Sequence, residues 1–181
     1  MQRVVFLDRD GVINRYPGNR EYVKSEEEFV LLPGVVEAIA RLKDAGYKVI
    51  VISNQAGVGK GLYTEDDLRK MNRKLKEAGA DIDGVYYCIH TDDDNCSCRK
   101  PEPGLIHKAQ DDLRTQIDVV NSFFIGDSSR DMVAAYRAGY KGILVLSGRS
   151  NGEDVDTWPV KPTAVLRDLP EAVDWILKEC I

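Results

Sequence analysis

The sequence has no apolar stretch approaching the roughly 20 residues that a membrane-crossing helix needs. Its first apolar run, Val4–Leu7, is also too short for the core of a secretory signal. These absences point to a soluble, cytoplasmic chain. Basic charge is not in excess either, with 25 Lys and Arg against 30 Asp and Glu, a net charge of −5. Proteins that grip nucleic acid concentrate Lys and Arg to displace counterions, so no nucleic-acid partner is expected. Repeats and low-complexity tracts are lacking as well. Histidines number two and cysteines four. Three of the cysteines crowd into residues 88–98, which in a reducing compartment indicates a metal before a disulfide. Cys180 stands apart and reads as a packed or idle thiol.

What remains is the balance of a globular protein, 43% hydrophobic and 30% charged, of a length suited to one domain over residues 1–181. Short apolar runs alternate with helix-period segments: Val4–Leu7, Val35–Leu42, Val49–Ile52, Leu68–Leu75, Val85–Tyr87, Phe123–Ile125, Met132–Ala138 and Ile143–Leu146. That alternation predicts an α/β fold, a parallel sheet layered between helices in the Rossmann-like manner. Thr64 with Asp67 three residues on has the spacing of a capping box, and Gly46, Gly79 and Gly139 stand where helix-ending glycines belong. Leu68, Met71 and Leu75 form one buried helical stripe. Ser147–Pro162 reads as a polar surface loop before an Ala164–Leu166 strand and a Pro170–Leu177 helix.

In such sheets ligands bind beyond the carboxyl ends of the strands, so the residues just after each apolar run carry the functional information. After the first run stands Asp8-Arg9-Asp10-Gly11, two carboxylates spaced i, i+2 and a glycine that permits a sharp turn. One carboxylate can attack phosphorus while the other moves a proton. After Val49–Ile52 come Ser53-Asn54-Gln55, donors suited to a phosphoryl group. After Phe123–Ile125 come Gly126-Asp127-Ser128-Ser129-Arg130-Asp131. Taken singly, the first two are ordinary turns and the third a helix cap by Asp127 or Ser129. Together they are chemically complete. A carboxylate nucleophile approaching a phosphate monoester needs Mg²⁺ held by hard oxygen ligands such as Asp8 and Asp127, and Arg99-Lys100 offers cations for the transferred oxygens.

In this order these residues resemble the four motifs of the haloacid dehalogenase superfamily of phosphatases, over Val4 to about Leu146. The resemblance implies Asp8 as nucleophile, Asp10 as general acid then base, and Ser53 and Lys100 as catalytic phosphate ligands. It also implies Mg²⁺ on Asp8, Asp127 and the backbone carbonyl of Asp10, with Asp131 behind them. Where these motifs usually carry Thr after D-x-D-G, this sequence has Val12.

Cys88-x-His90, five residues, then Cys96-x-Cys98 supplies three thiolates and an imidazole, the ligand set of a closed and therefore structural Zn²⁺ site. The loop runs straight into Arg99-Lys100 and would hold them in place. The acidic run Asp92-Asp93-Asp94-Asn95 reads as a solvated face without function, and His107 as a packing or surface residue. Gly57-Val58-Gly59-Lys60-Gly61 lacks the spacing of a P-loop, so nucleotide binding there is rejected. The segments after the first two strands leave no room for a large cap domain. Specificity is then expected from an open site: the loop from Asn14 to Tyr22, with Asn54, Gln55, Arg99 and Ser128. A zinc loop without a cap is similar to a branch of the superfamily that dephosphorylates heptose 1,7-bisphosphate or histidinol phosphate. The expected partner is a phosphorylated sugar, met by a monomeric enzyme. Histidinol phosphate is the alternative, and nucleic-acid 3′ ends a more distant one. A signalling receiver would instead want adjacent acids after the first strand.

Overall fold

The computed structural model describes residues 1–179, so Cys180 lies outside the described residues. Six strands form one parallel sheet in the order β3-β2-β1-β4-β5-β6. They are β1 (Arg3–Leu7), β2 (Tyr47–Asn54), β3 (Gly84–Cys88), β4 (Phe123–Gly126), β5 (Lys141–Val145) and β6 (Ala164–Leu166). Helices α1 (Val35–Asp44), α2 (Ala56–Gly59), α3 (Glu65–Glu77), α4 (Gly104–Leu113), α5 (Ser129–Arg137) and α6 (Leu169–Glu179) connect or follow them.

The strands read as continuous apolar runs because both sheet faces are covered. Val5, Leu7, Val49, Val51, Phe123 and Ile125 face a core closed by α1, α3 and α6. Their neighbours Val4, Phe6, Ile50, Ile52 and Phe124 face the other way, under α4 and α5. The stripe Leu68, Met71 and Leu75 is buried as the spacing predicts. The Thr64 capping box forms, with Thr64 N–H donating to Asp67 Oδ2 at 2.9 Å. Gly46, Gly79 and Gly139 end α1, α3 and α5 at φ of 84°, 99° and 85°.

Three details depart from the sequence reading. The cap of α5 is Ser128, not Asp127 or Ser129, because its hydroxyl and the Asp131 carboxylate complete a capping box. β5 stops at Val145, and Leu146 faces outward. The Ser147–Pro162 segment is not all surface: a 3₁₀ turn at Val155–Thr157 lays Trp158 over Met132 and Leu144.

β1 is hydrogen-bonded to β2 on one side and β4 on the other. Chain order reverses there, so a crevice opens beyond the carboxyl ends of these strands. No inserted domain covers it among the described residues. The connection from β1 to α1 is an irregular loop pinned by bridges from Asn14 to Asp10 and to Leu31.

Candidate active site

Asp8 directly follows β1, its N–H donating to the Ile125 carbonyl at 2.9 Å, so the sheet itself sets its position. Lys100 Nζ lies 2.9 Å from Asp8 Oδ1 and 2.6 Å from Asp131 Oδ1, and donates to the Ile52 carbonyl at 3.0 Å. Asn54 fixes the lysine backbone from both sides, its amide donating to the Lys100 carbonyl and its Oδ1 accepting from the Lys100 N–H, each at 3.0 Å. Asp131 is wholly buried, and its Oδ2 accepts from the backbone N–H of Asp127 and Ser128 and from the Ser128 hydroxyl.

Asp127 is wedged between two glycines. A Cβ at Gly11 would lie 2.2 Å from Asp127 Oδ2, and one at Gly148 would lie 2.1 Å from it. Gly11 also turns at φ 90°, so only glycine brings the two motifs together here. The loop after β5 closes the cradle, with the Arg149 N–H donating to Asp127 Oδ2 at 2.7 Å and the Ser150 N–H to the Asp127 carbonyl at 3.1 Å.

Oxygen atoms of Asp8, Asp127 and Asp131 lie within 4.8 Å of one another. One lysine cannot balance three such carboxylates. Burial raises the Asp8 carboxyl to about 6; Lys100 opposes the shift, while Asp131 and Asp10 add to it. Burial, then Asp8 and Asp131, pushes Asp127 well above the ordinary carboxylate range. A hard divalent cation bound by oxygen relieves this repulsion, so the donor set fits Mg²⁺. Asp131 has both oxygens engaged by Lys100 and the α5 cap, which leaves Asp8 and Asp127 as the carboxylates with oxygens to spare for such an ion.

The second cluster begins at the end of β3. Cys88 Sγ lies 3.6 Å from both Cys96 Sγ and His90 Nδ1; Cys96 Sγ is 3.4 Å and His90 Nδ1 3.2 Å from Cys98 Sγ. Cys88 and Cys98 approach to 2.7 Å, and neither is in a disulfide. A tetrahedral centre with metal–sulfur bonds of about 2.3 Å sets its sulfurs somewhat under 4 Å apart, so the four donors have the chemistry and most of the spacing of a closed zinc site. Burial and the adjacent thiols push the Cys98 thiol up, as expected for a site that wants a cation.

Between the clusters lies a cavity of about 520 Å³. Asp8, Asp10, Ser53, Lys100, Asp127 and Asp131 line it, so the acids, hydroxyl and lysine singled out in the sequence do converge. Tyr22, Asn54, Arg99 and Ser128 reach its wall too. Asn14 and Gln55 do not. Both are buried, Asn14 donating to Asp10 Oδ1 at 2.8 Å and Gln55 to Asp10 Oδ2 at 3.0 Å, so their side chains hold Asp10 instead of lining the cavity. Asn54 and Ser128 touch the cavity, but the hydrogen bonds described above commit their polar groups to Lys100 and Asp131.

Most other residues of the site lacked a sequence signal, Arg20 excepted, since it lies in the loop from Asn14 to Tyr22 expected to supply specificity. Asp92, read as solvated, accepts at one oxygen from Arg99 Nε at 2.8 Å and Arg130 Nη1 at 2.9 Å. Those two guanidinium groups hold its carboxyl far below the usual range. Arg20, Lys60 and Arg149 add positive charge to the cavity. Arg149 was discoverable, since it closely follows the end of β5, but its segment resembled a plain loop. Arg9, between the two motif acids, is 1% exposed and pairs with Asp10 at 2.9 Å.

An acid just past the end of β1, a second acid two residues on, a lysine from the loop between β3 and α4 and an acid just past β4 together have the layout of a haloacid dehalogenase-like phosphatase site. A family model described as HAD-hyrolase-like matches residues 97–172. The chain is 37% identical over 179 residues to the D-glycero-beta-D-manno-heptose-1,7-bisphosphate 7-phosphatase of Helicobacter pylori strain J99, covering 96% of this chain and 97% of that protein. The corresponding Photorhabdus laumondii protein is 38% identical, with 96% of each chain covered. Among solved structures, D,D-heptose 1,7-bisphosphate phosphatase from B. bronchiseptica, complexed with magnesium and phosphate, superposes with a TM-score of 0.86 at 34% identity, covering 98% of this chain and 99% of that one. The chain therefore belongs to the HAD-like hydrolases and, within them, to the heptose-1,7-bisphosphate 7-phosphatase family.

Proposed function

We propose that this chain removes the 7-phosphate of D-glycero-D-manno-heptose 1,7-bisphosphate through an aspartyl-phosphate on Asp8. The observation that carries the reading is the buried floor where Asp8, Asp127 and Asp131 crowd together and one lysine, Lys100, pairs with Asp8 and Asp131. A Mg²⁺ ion held by Asp8, Asp127 and the Asp10 carbonyl would neutralise charge between nucleophile and phosphate. Ser53 and Lys100 hold the transferred oxygens. Asp8 attacks phosphorus as Asp10 gives its proton to the departing sugar oxygen. Asp10 then takes a proton from the water that attacks the aspartyl-phosphate, which releases phosphate and restores Asp8.

Arg99 and Arg130 flank Asp92, and with Arg20, Lys60 and Arg149 they outnumber the acids Glu21, Asp92 and Asp93, which leaves a net positive edge for the remote 1-phosphate. The same edge disfavours histidinol phosphate, whose far end is cationic, and the acidic chain disfavours nucleic acid. Cys88, His90, Cys96 and Cys98 are assigned a structural Zn²⁺. No helix among the described residues is long and apolar enough to cross a membrane. Our reading is of one catalytic domain, working as a monomer in the cytoplasm.

Phosphate release measured over sugar bisphosphates, sugar monophosphates and histidinol phosphate tests this. Heptose 1,7-bisphosphate should give the highest kcat/KM. Preference for histidinol phosphate would overturn the substrate assignment, and inactivity on every phosphomonoester would overturn the phosphatase.

A further inference from the structure

Asp10 sits in a cage of donors that treats its two oxygens differently. Oδ1 accepts from Arg9 Nε at 3.1 Å, Arg9 Nη2 at 2.9 Å and Asn14 Nδ2 at 2.8 Å. Oδ2 accepts from Gln55 Nε2 at 3.0 Å and shares Arg9 Nη2 at 3.1 Å. A carboxylate oxygen offers about two lone-pair directions; Arg9 Nε and Asn14 Nδ2 fill both on Oδ1, whereas Oδ2 has only Gln55 Nε2 to itself and shares Nη2 with Oδ1, so Oδ2 is the less fully engaged oxygen.

The cage is itself held from behind. The Tyr63 hydroxyl donates to Gln55 Oε1 at 2.7 Å, which turns the Gln55 amide nitrogen toward Asp10. Gly57 makes room for this, since a Cβ there would lie 2.1 Å from the Tyr63 ring. That is the structural use of the glycine-rich stretch whose P-loop reading fails. Arg9 is enclosed by the Phe29 and Tyr87 rings, and its Nη1 lies 3.3 Å from Met71 Sδ. A buried guanidinium in such company is costly unless it is paired, and its carboxylate partner among the described residues is Asp10.

The geometry points to Arg9, Asn14, Gln55 and Tyr63 as positioning residues that anchor Asp10 by Oδ1 and make Oδ2 the oxygen that carries the proton. This rests on the reading of Asp10 as general acid and base. In the first half-reaction the Oδ2 proton passes to the sugar oxygen as its bond to phosphorus breaks and the Asp8–phosphorus bond forms. In the second, Oδ2 takes the proton of the water that attacks phosphorus, and the Asp8–phosphorus bond breaks.

Leaving-group dependence separates proton delivery from general damage. An alkyl phosphate needs its leaving oxygen protonated, whereas p-nitrophenolate departs as a stable anion. Single-turnover rates on both should be measured for wild type, Tyr63→Phe, Arg9→Met, Asp10→Asn and the pairwise combinations with Asp10→Asn. The alkyl-to-aryl rate ratio should fall about tenfold in Tyr63→Phe and about 100-fold in Arg9→Met, within the range that general acid catalysis contributes. In the Asp10→Asn background neither change should lower the ratio further, because residues acting through one group are not additive. A ratio unchanged in Tyr63→Phe, or losses that multiply with Asp10→Asn, would overturn the proposal. Tyr63→Phe removes one hydroxyl and decides the matter alone should Arg9→Met fail to fold. If instead Asp10→Asn keeps the wild-type ratio, it is the general-acid reading of Asp10 that fails.

Discussion

The floor and the rim of the cavity are built on opposite principles. On the floor, Asp8, Lys100, Asp127 and Asp131 are largely or wholly buried and tied to strand ends by backbone donors or by one another. On the rim, Arg20, Lys60 and Arg149 are exposed, and Arg130 leans on an Asp92 that is 64% exposed. Charge on the floor is preorganised in a poorly hydrated place, where it acts strongly on a transition state. Charge on the rim is screened and adjustable, which suits recognition of a remote group more than chemistry. Substitutions on the floor should therefore change turnover, and substitutions on the rim should change selectivity.

The largest effect is expected from Asp8→Asn, which keeps the shape and removes the anionic nucleophile. Turnover should vanish while the circular dichroism melt stays cooperative. An active variant would break the division at its centre.

Next comes the cysteine–histidine cluster, which joins floor to rim because Asp92, Arg99 and Lys100 all lie on or beside its loop. Elemental analysis should find about one zinc per chain, apart from exchangeable magnesium. On chelation, amide exchange should rise first in residues 88–100, and activity should fall as Lys100 loses its placement. A zinc-free protein with full activity and an ordered loop would detach the cluster from the site.

A smaller effect concerns pH. The Asp8 carboxyl is raised from 3.8 to about 6 in the folded protein, so the folded state holds its proton where the unfolded chain has lost it. Metal-free protein should accordingly lose stability as pH rises through 4 to 6, with Asp127 acting in the same direction. Magnesium held by the ionised pair, as proposed, would reverse this. The increase in Tm on adding Mg²⁺ should be greatest above pH 6 and fade towards pH 4. An increase independent of pH would mean that the ion sits elsewhere.

The mildest change belongs to the rim. Arg99→Ala should lower kcat/KM for the bisphosphate with little effect on a sugar monophosphate, narrowing the preference between them. Equal losses on both substrates would place Arg99 with the floor.

Much of the floor was legible in the chain. Asp8, Ser53 and Asp127 each stand one or two residues past an apolar run, and strand order alone brings such positions to one edge of a parallel sheet. The four donors of the cysteine–histidine cluster were legible because all fall within eleven residues, so spacing is nearly geometry. The rim was not. Arg130 and Asp92 are 38 positions apart, and no local pattern pairs them.

Periodicity, helix caps and strand-end acids are set by neighbours a few residues away, so the sequence by itself determined the layered fold, the strand-end acids and the cysteine cluster. Which end of a polar side chain meets the cavity depends on groups far along the chain. Gln55 reaches Asp10 across 45 positions, and Asn54 grips Lys100 across 46. Only the tertiary structure decided that Asn14 and Gln55 turn inward to hold Asp10, that Arg9 is buried beside it, and that Asp92 joins two arginines. Each of those outcomes follows from which hydrogen-bond partner remained once the sheet had closed and water had been excluded.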